Sequence, residues 1–379
     1  MKRIGQYFSQ IVKNYIAYKG RIVLLVSFFL LSFANASAYA NQFMQQEDST
    51  DQHELTLYAV APKVSINWGS PSSLYKTVKQ NVFKVAIKPH RSTLGHMFFS
   101  LKTNLLPKTL WAGFTVFRKA DMFKEVLFIK SGLSSLGKPF KAKIENGQTL
   151  EKSIKSNSKE HNIAFITYRL NKEATLRILT FLSILLKEVD NELIPSTYYS
   201  GNSWPLYFGE GSDCSALIVA ALELAGLPPS EREPWKIALK VPVSLIGGSL
   251  NHHSRIKIRS IRKTKTWYQG NGEAGVEYAD FETIDPSRVR KWILQAYNQT
   301  PQGYKKVTQG NIPGLYRDYR SVNAHVENPM FSNRKEVNFF LKNNPLYSNN
   351  QADSVYTTTD HPMRAKGGVF FNGVQNLNK

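Results

Sequence analysis

The stretch Gly211-Ser212-Asp213-Cys214-Ser215-Ala216-Leu217, continued by Ile218-Val219-Ala220-Ala221-Leu222, decides how this chain is read. A polar, glycine-containing loop delivers the single cysteine of the sequence to the first turn of a helix. That helix runs through Leu224 and is closed by Gly226 and Pro228. It is apolar on nearly every side, so it is expected to be buried. A helix start carries unpaired N–H groups and a partial positive charge, which favour thiolate over thiol and can face a developing oxyanion. The same pattern also fits a small residue packed at a helix start.

A thiolate nucleophile needs an imidazole to take and return its proton. Of the eight histidines, His96 stands out. It opens the alternating stretch His96-Met97-Phe98-Phe99-Ser100-Leu101 directly after Gly95, with Phe98 and Ser100 on its own face. His90, beside Pro89, is the competing partner, and His252 and His253 read as a solvated pair in a glycine-rich loop. One cysteine excludes a disulfide framework, a cysteine-rich zinc module and an iron–sulfur cluster. No metal ion or organic cofactor is implied.

Upstream of the cysteine helix the texture is that of a closely spaced, antiparallel sheet. Strands are expected at Val82–Ile87, Gly95–Lys102, Trp111–Phe117, Phe123–Ile129 and Ile163–Tyr168. A helix follows, capped by Asn171, with Leu176, Leu179, Leu182, Leu186 and Val189 at helical spacing. Downstream, Arg255–Arg259 alternates basic residues with isoleucine and is expected to be a strand with one solvated face. Asp285-Pro286 starts a helix striped by Val289, Trp292, Ile293 and Tyr297.

The ends frame this core. Residues 1–40 read as a signal peptide: five basic residues and no acid, the apolar run Ile22–Phe33, then Ala36-x-Ala38-x-Ala40 as a small-residue exit. A membrane anchor is the alternative, although the run is shorter than the roughly 20 apolar residues a span needs. Export to the periplasm or the exterior is therefore expected, with no stable membrane span after cleavage. Residues 41–81 are expected to be an N-terminal segment, 82–300 the domain, and 301–379 a partly disordered C-terminal extension.

The chain of 379 residues carries 49 Lys+Arg against 28 Asp+Glu, a net charge of +21, and loss of the five leader cations leaves +16. No nucleic-acid motif is present. A basic exported protein points to anionic envelope polymers, lipid head groups or acidic substrates. The run Arg255, Lys257, Arg259, Arg262, Lys263, Lys265 is the anion-binding candidate, with a solvated strand face as its plainer reading.

Asp213-Cys214-Ser215 opening a buried helix resembles the nucleophile motif of the NlpC-like branch of papain-fold cysteine peptidases. In the ordinary branch the histidine strand follows that helix. Here Gly95-His96-Met97-Phe98-Phe99 precedes it, an order similar to the circularly permuted branch that includes the lecithin retinol acyltransferase-like proteins. The resemblance spans roughly residues 82–295. It implies an α+β, papain-like fold in permuted order, with an antiparallel sheet against the buried cysteine helix. It further implies a thiol hydrolase acting on an amide or ester, with Cys214 as nucleophile and His96 as base. Cell-wall peptides are the first substrate class, acyl or lipid substrates the second, and a non-catalytic envelope-binding module the third reading.

Ala216 stands where that family usually has glycine. The third polar residue is not evident, and Thr115 on the neighbouring strand is the best candidate for orienting the imidazole. Asp213, Ser215 and Tyr199 are expected at the oxyanion or substrate site, with Tyr207 competing for the tyrosine's place.

Overall fold

The computed structural model describes residues 52–87, 94–118, 131–190, 198–208, 210–335 and 338–342. The signal peptide expected over residues 1–40, His90, the strand expected at Phe123–Ile129 and the tail 343–379 lie outside the described residues.

Alternation builds the sheet. Strands β1 (His53–Val60), β2 (His96–Thr103), β3 (Leu110–Val116), β4 (Phe140–Glu145), β5 (Ile163–Arg169) and β6 (Tyr198–Tyr199) are joined by β9 (Tyr304–Gln309) and β10 (Ile312–Asp318). The order across the sheet is β6-β4-β3-β2-β1-β5-β10-β9. Neighbours are antiparallel except β5 and β10, which run parallel. A separate hairpin pairs β7 (Lys236–Pro242) with β8 (Tyr278–Ile284). The protein is thus mixed α+β with a large, mostly antiparallel sheet.

Side chains at every second position separate the two faces. Leu55, Leu57, Met97, Phe99, Phe114 and Ile166 point to one side and are fully buried. Three helices cover them: α3 (Lys172–Asp190), α4 (Cys214–Leu224) and α5 (Pro286–Gln299). On the other side Tyr58, Phe98 and Phe165 pack with Leu150 of helix α2 (Gly147–Lys159), and Tyr58 stacks on Phe98 at 5.2 Å. Each such buried apolar side chain stabilises the fold by roughly 1.5–3 kcal/mol before entropy is counted. Helix α4 is buried along its whole length except Glu223, which explains a sequence with no polar stripe.

Polar residues set the helix starts. Asn171 Oδ1 accepts from the Ala174 N–H at 2.8 Å, and Asp285 Oδ1 from Ser287 N–H at 2.8 Å with Pro286 following.

Several expectations are corrected. Val82–Ile87 is no strand but the end of helix α1 (Pro71–Ile87), whose start is capped by Ser70 Oγ accepting from Ser73 N–H at 3.1 Å. Segment 41–81 is more than a lead-in, because its residues 53–60 form β1, flanked by β2 and β5 inside the sheet. Residues 304–318 likewise complete the sheet, so the domain extends past both limits expected at 82 and 300. Arg255–Arg259 is not a strand. Ile258–Lys263 forms a short helix with Ile261 buried, and Ile256, just before it, is buried as well, an odd spacing that period-2 alternation cannot place on one face.

Candidate active site

Three separate elements converge on Cys214. The first is its own helix start. Asp213 Oδ1 accepts from the N–H groups of Ser215 at 2.8 Å and Ala216 at 2.6 Å, and Thr283 Oγ1 lies 3.3 Å from Oδ2. Burial lifts the Asp213 carboxyl to about 6, against the opposing pull of those three donors. Asp213 is therefore the N-cap that aims Cys214 into a cleft. Asp213 and Ser215, expected at the oxyanion or substrate site, both line the cleft beside Cys214, with the Asp213 carboxylate accepting from the Ser215 N–H.

The second element is β2. His96, its first residue, places Nε2 2.5 Å from Glu145 Oε2. With Nε2 so engaged, the ring also interacts with the Cys214 side chain, which favours its cationic form. Burial alone pushes the His96 pKa down. The Glu145 carboxylate and the bond to Cys214 outweigh it and raise the imidazole to about 10. The ring is thus held as a cation between a carboxylate and a sulfur.

Glu145 is the residue that sequence reasoning missed. It ends β4, and the sheet register places it opposite Gly113, which in turn faces Phe98 of β2. A Cβ at Gly113 would lie 3.0 Å from Glu145 Oε2 and 3.1 Å from Leu150 Cδ2. The missing side chain leaves the path by which Glu145 reaches across β3 to the histidine. Thr115, the expected orienting residue, instead lies opposite Lys143. The available signal was that Glu145 is the sole acid between Glu125 and Glu151, in an otherwise basic segment.

The third element is β6. The Tyr199 hydroxyl lies 3.7 Å from Cys214 Sγ and accepts from the Cys214 backbone N–H. Its ring stacks on Phe114 at 6.2 Å. Burial, reinforced by Cys214 and Asp213, raises the phenol well above its ordinary value, so it stays a neutral donor. Gly211 permits this arrangement. Ser212 N–H donates to Tyr198 carbonyl at 2.9 Å, and a Cβ on Gly211 would sit 2.0 Å from that oxygen. Tyr207, the competing tyrosine, lies against the Arg334 guanidinium at 4.5 Å instead.

Cys214 opens into a cleft of about 330 Å³ walled by Trp68, Leu74, Leu133, Phe140, Ile256 and Phe281. A larger cavity of about 1100 Å³, with Lys236, Glu282 and Arg334 in its walls, shares Asp213 but not Cys214. His252 and His253 are exposed, as are all six basic residues from Arg255 to Lys265. A buried thiol, an imidazole held by a carboxylate, and a neutral phenol donor make up the set that nucleophilic thiol chemistry uses.

Comparison of the chain with protein-family models, with curated proteins and with solved structures returns no match.

Proposed function

We propose that the protein is a thiol hydrolase of papain-like arrangement in permuted order, cleaving an amide or ester. The observation that carries this is the convergence of Cys214, His96 and Glu145 from α4, β2 and β4. Cys214 Sγ attacks the carbonyl carbon, and its proton resides on the His96 imidazole. The Cys214 N–H donates to the Tyr199 hydroxyl, which in turn donates to the oxyanion. Collapse expels an amine or alcohol that takes the proton from His96. Water, deprotonated by the same imidazole, then hydrolyses the thioester on Cys214. Glu145 remains a carboxylate and stabilises the imidazolium at each stage. Glu145 is suited to orient the imidazole, which weighs against a non-catalytic module.

The basic leader and its small-residue exit support an exported protein, periplasmic or secreted, with an envelope substrate. Peptidoglycan peptides are one class. The apolar walls around Cys214 favour the second reading, an acyl carbonyl carrying a hydrocarbon chain. Parallel assays on stem-peptide fragments and on acyl esters of increasing chain length separate them. Activity that rises with chain length selects the acyl reading, and cleavage of stem peptides alone selects the peptide reading.

Two outcomes probe the supporting residues. Tyr199→Phe removes one oxyanion donor and is expected to lower kcat by roughly 10²–10³-fold, while iodoacetamide still labels Cys214. Undiminished kcat would remove Tyr199 from the mechanism. Gly113→Val fills the path of Glu145, and a displaced carboxylate is expected to lower kcat on the order of 10²-fold with a downward shift of the His96 titration. A loss of stability with an unmoved titration would make Gly113 a packing residue only.

A further inference from the structure

The mouth of the Cys214 cleft carries an unusual combination. Two of its lining residues, Leu94 and Ile258, are 39% and 40% exposed, whereas Ile256 and Ile261 beside them are buried. Flanking these isoleucines are Arg255, Lys257, Arg259, Arg262, Lys263 and Lys265, all exposed, with no acidic residue from 255 to 265. None of the six pairs with a carboxylate among the described residues. The short helix Ile258–Lys263 is anchored from behind: it packs against α1, and the Thr264 carbonyl accepts from Ser72 N–H at 3.1 Å. One side of this segment therefore lines the cleft, and the other presents unpaired cations with an apolar tip.

We propose that this face docks on an anionic phospholipid bilayer, so that the mouth of the cleft opens onto the membrane surface. A dissolved polyanion would satisfy the cations but leaves Leu94 and Ile258 exposed to water. A neutral apolar partner leaves six unpaired cations in the interface, at a large desolvation cost. An anionic interface accepts both, with head groups against the cations and the upper acyl region against the apolar tip. The inference extends the reading of this cleft as a substrate site, and its test does not depend on turnover.

The chain has a single cysteine, so the test uses the full chain carrying Cys214→Ala and Ser260→Cys, labelled at the new thiol with an environment-sensitive fluorophore. Ser260 is exposed within the short helix. A second protein carries the label through Gln302→Cys in the turn before β9. Vesicles of phosphatidylglycerol mixed with phosphatidylcholine are expected to shift the Ser260→Cys emission to the blue. Pure phosphatidylcholine vesicles leave it unmoved, raised salt reverses the shift, and the Gln302→Cys label does not respond. Combined Lys257→Gln, Arg259→Gln, Arg262→Gln and Lys263→Gln is expected to weaken vesicle affinity by nearly three orders of magnitude, at roughly fivefold per cation. Ile258→Ser is expected to reduce the blue shift with the charges intact. The proposal is overturned if anionic vesicles give no shift, or if both labels respond alike. It is equally overturned if dextran sulfate reproduces the shift and Ile258→Ser has no effect, which assigns the face to a dissolved polyanion.

Discussion

Cys214→Ser is expected to fold and to lose turnover by on the order of 10⁴-fold or more. The serine hydroxyl is nearly the size of the thiol, and Cys214 sits in a helix start already fixed by Asp213, so packing changes little. The chemistry changes completely, because an imidazole held as a cation by Glu145 is a weak base toward an alcohol. If Cys214 were only a packed residue, the variant would retain hydrolysis and show at most a small change in melting temperature. Steady-state kinetics with circular dichroism on the same preparations decides between these outcomes. His96→Ala is expected to lower both turnover and the rate of alkylation of Cys214 near neutral pH.

Glu145→Gln carries the second large effect. The amide keeps the size of the carboxylate but removes the charge that outweighs burial at His96. The imidazole then loses its main source of stabilisation as a cation, and its titration, raised to about 10 in the native protein, is expected to fall toward or below the ordinary 6.5. The sign of the stability effect follows. A histidine whose pKa is raised on folding contributes stability that is fully present below about 6.5 and is lost as pH rises through about 10. Native stability should therefore decline over that window, and the decline should flatten in Glu145→Gln. Turnover is expected to fall by roughly 10²–10⁴-fold, since an uncharged partner neither stabilises the imidazolium nor fixes the ring. NMR titration of the His96 ring reads the first effect, and urea unfolding across pH the second. An unmoved titration would show that Glu145 does not govern the histidine.

How much of this was legible in the sequence depended on the range of the interactions involved. The start of α4 was legible because a cap, a cysteine and an apolar helix are all local. The caps at Asn171 and Asp285 were legible for the same reason. Val82–Ile87 was misread because six residues, apolar except Lys84, have no period that separates strand from helix, and the helix-starting signal at Ser70-Pro71 lies a full eleven residues before it. β1 alternates Leu55, Leu57 and Ala59 inward, but its place between β2 and β5 is a matter of pairing across the sheet. Glu145 was the deepest of these problems. Its role depends on the registers Phe98–Gly113 and Gly113–Glu145 together and on the absence of one Cβ, which no local pattern contains. The basic run from Arg255 was correctly seen as solvated.

The most direct test of the central claim is acid-quenched intact-mass spectrometry of the full chain during turnover of an activated acyl ester, followed by peptide mapping. The account predicts a mass increase of one acyl group, located on Cys214, that appears within the first turnovers, is absent in Cys214→Ala and accumulates far more slowly in His96→Ala. Hydrolysis that persists in Cys214→Ala with no acyl group on the wild-type thiol, or acylation of Cys214 at the same rate without His96, would contradict it.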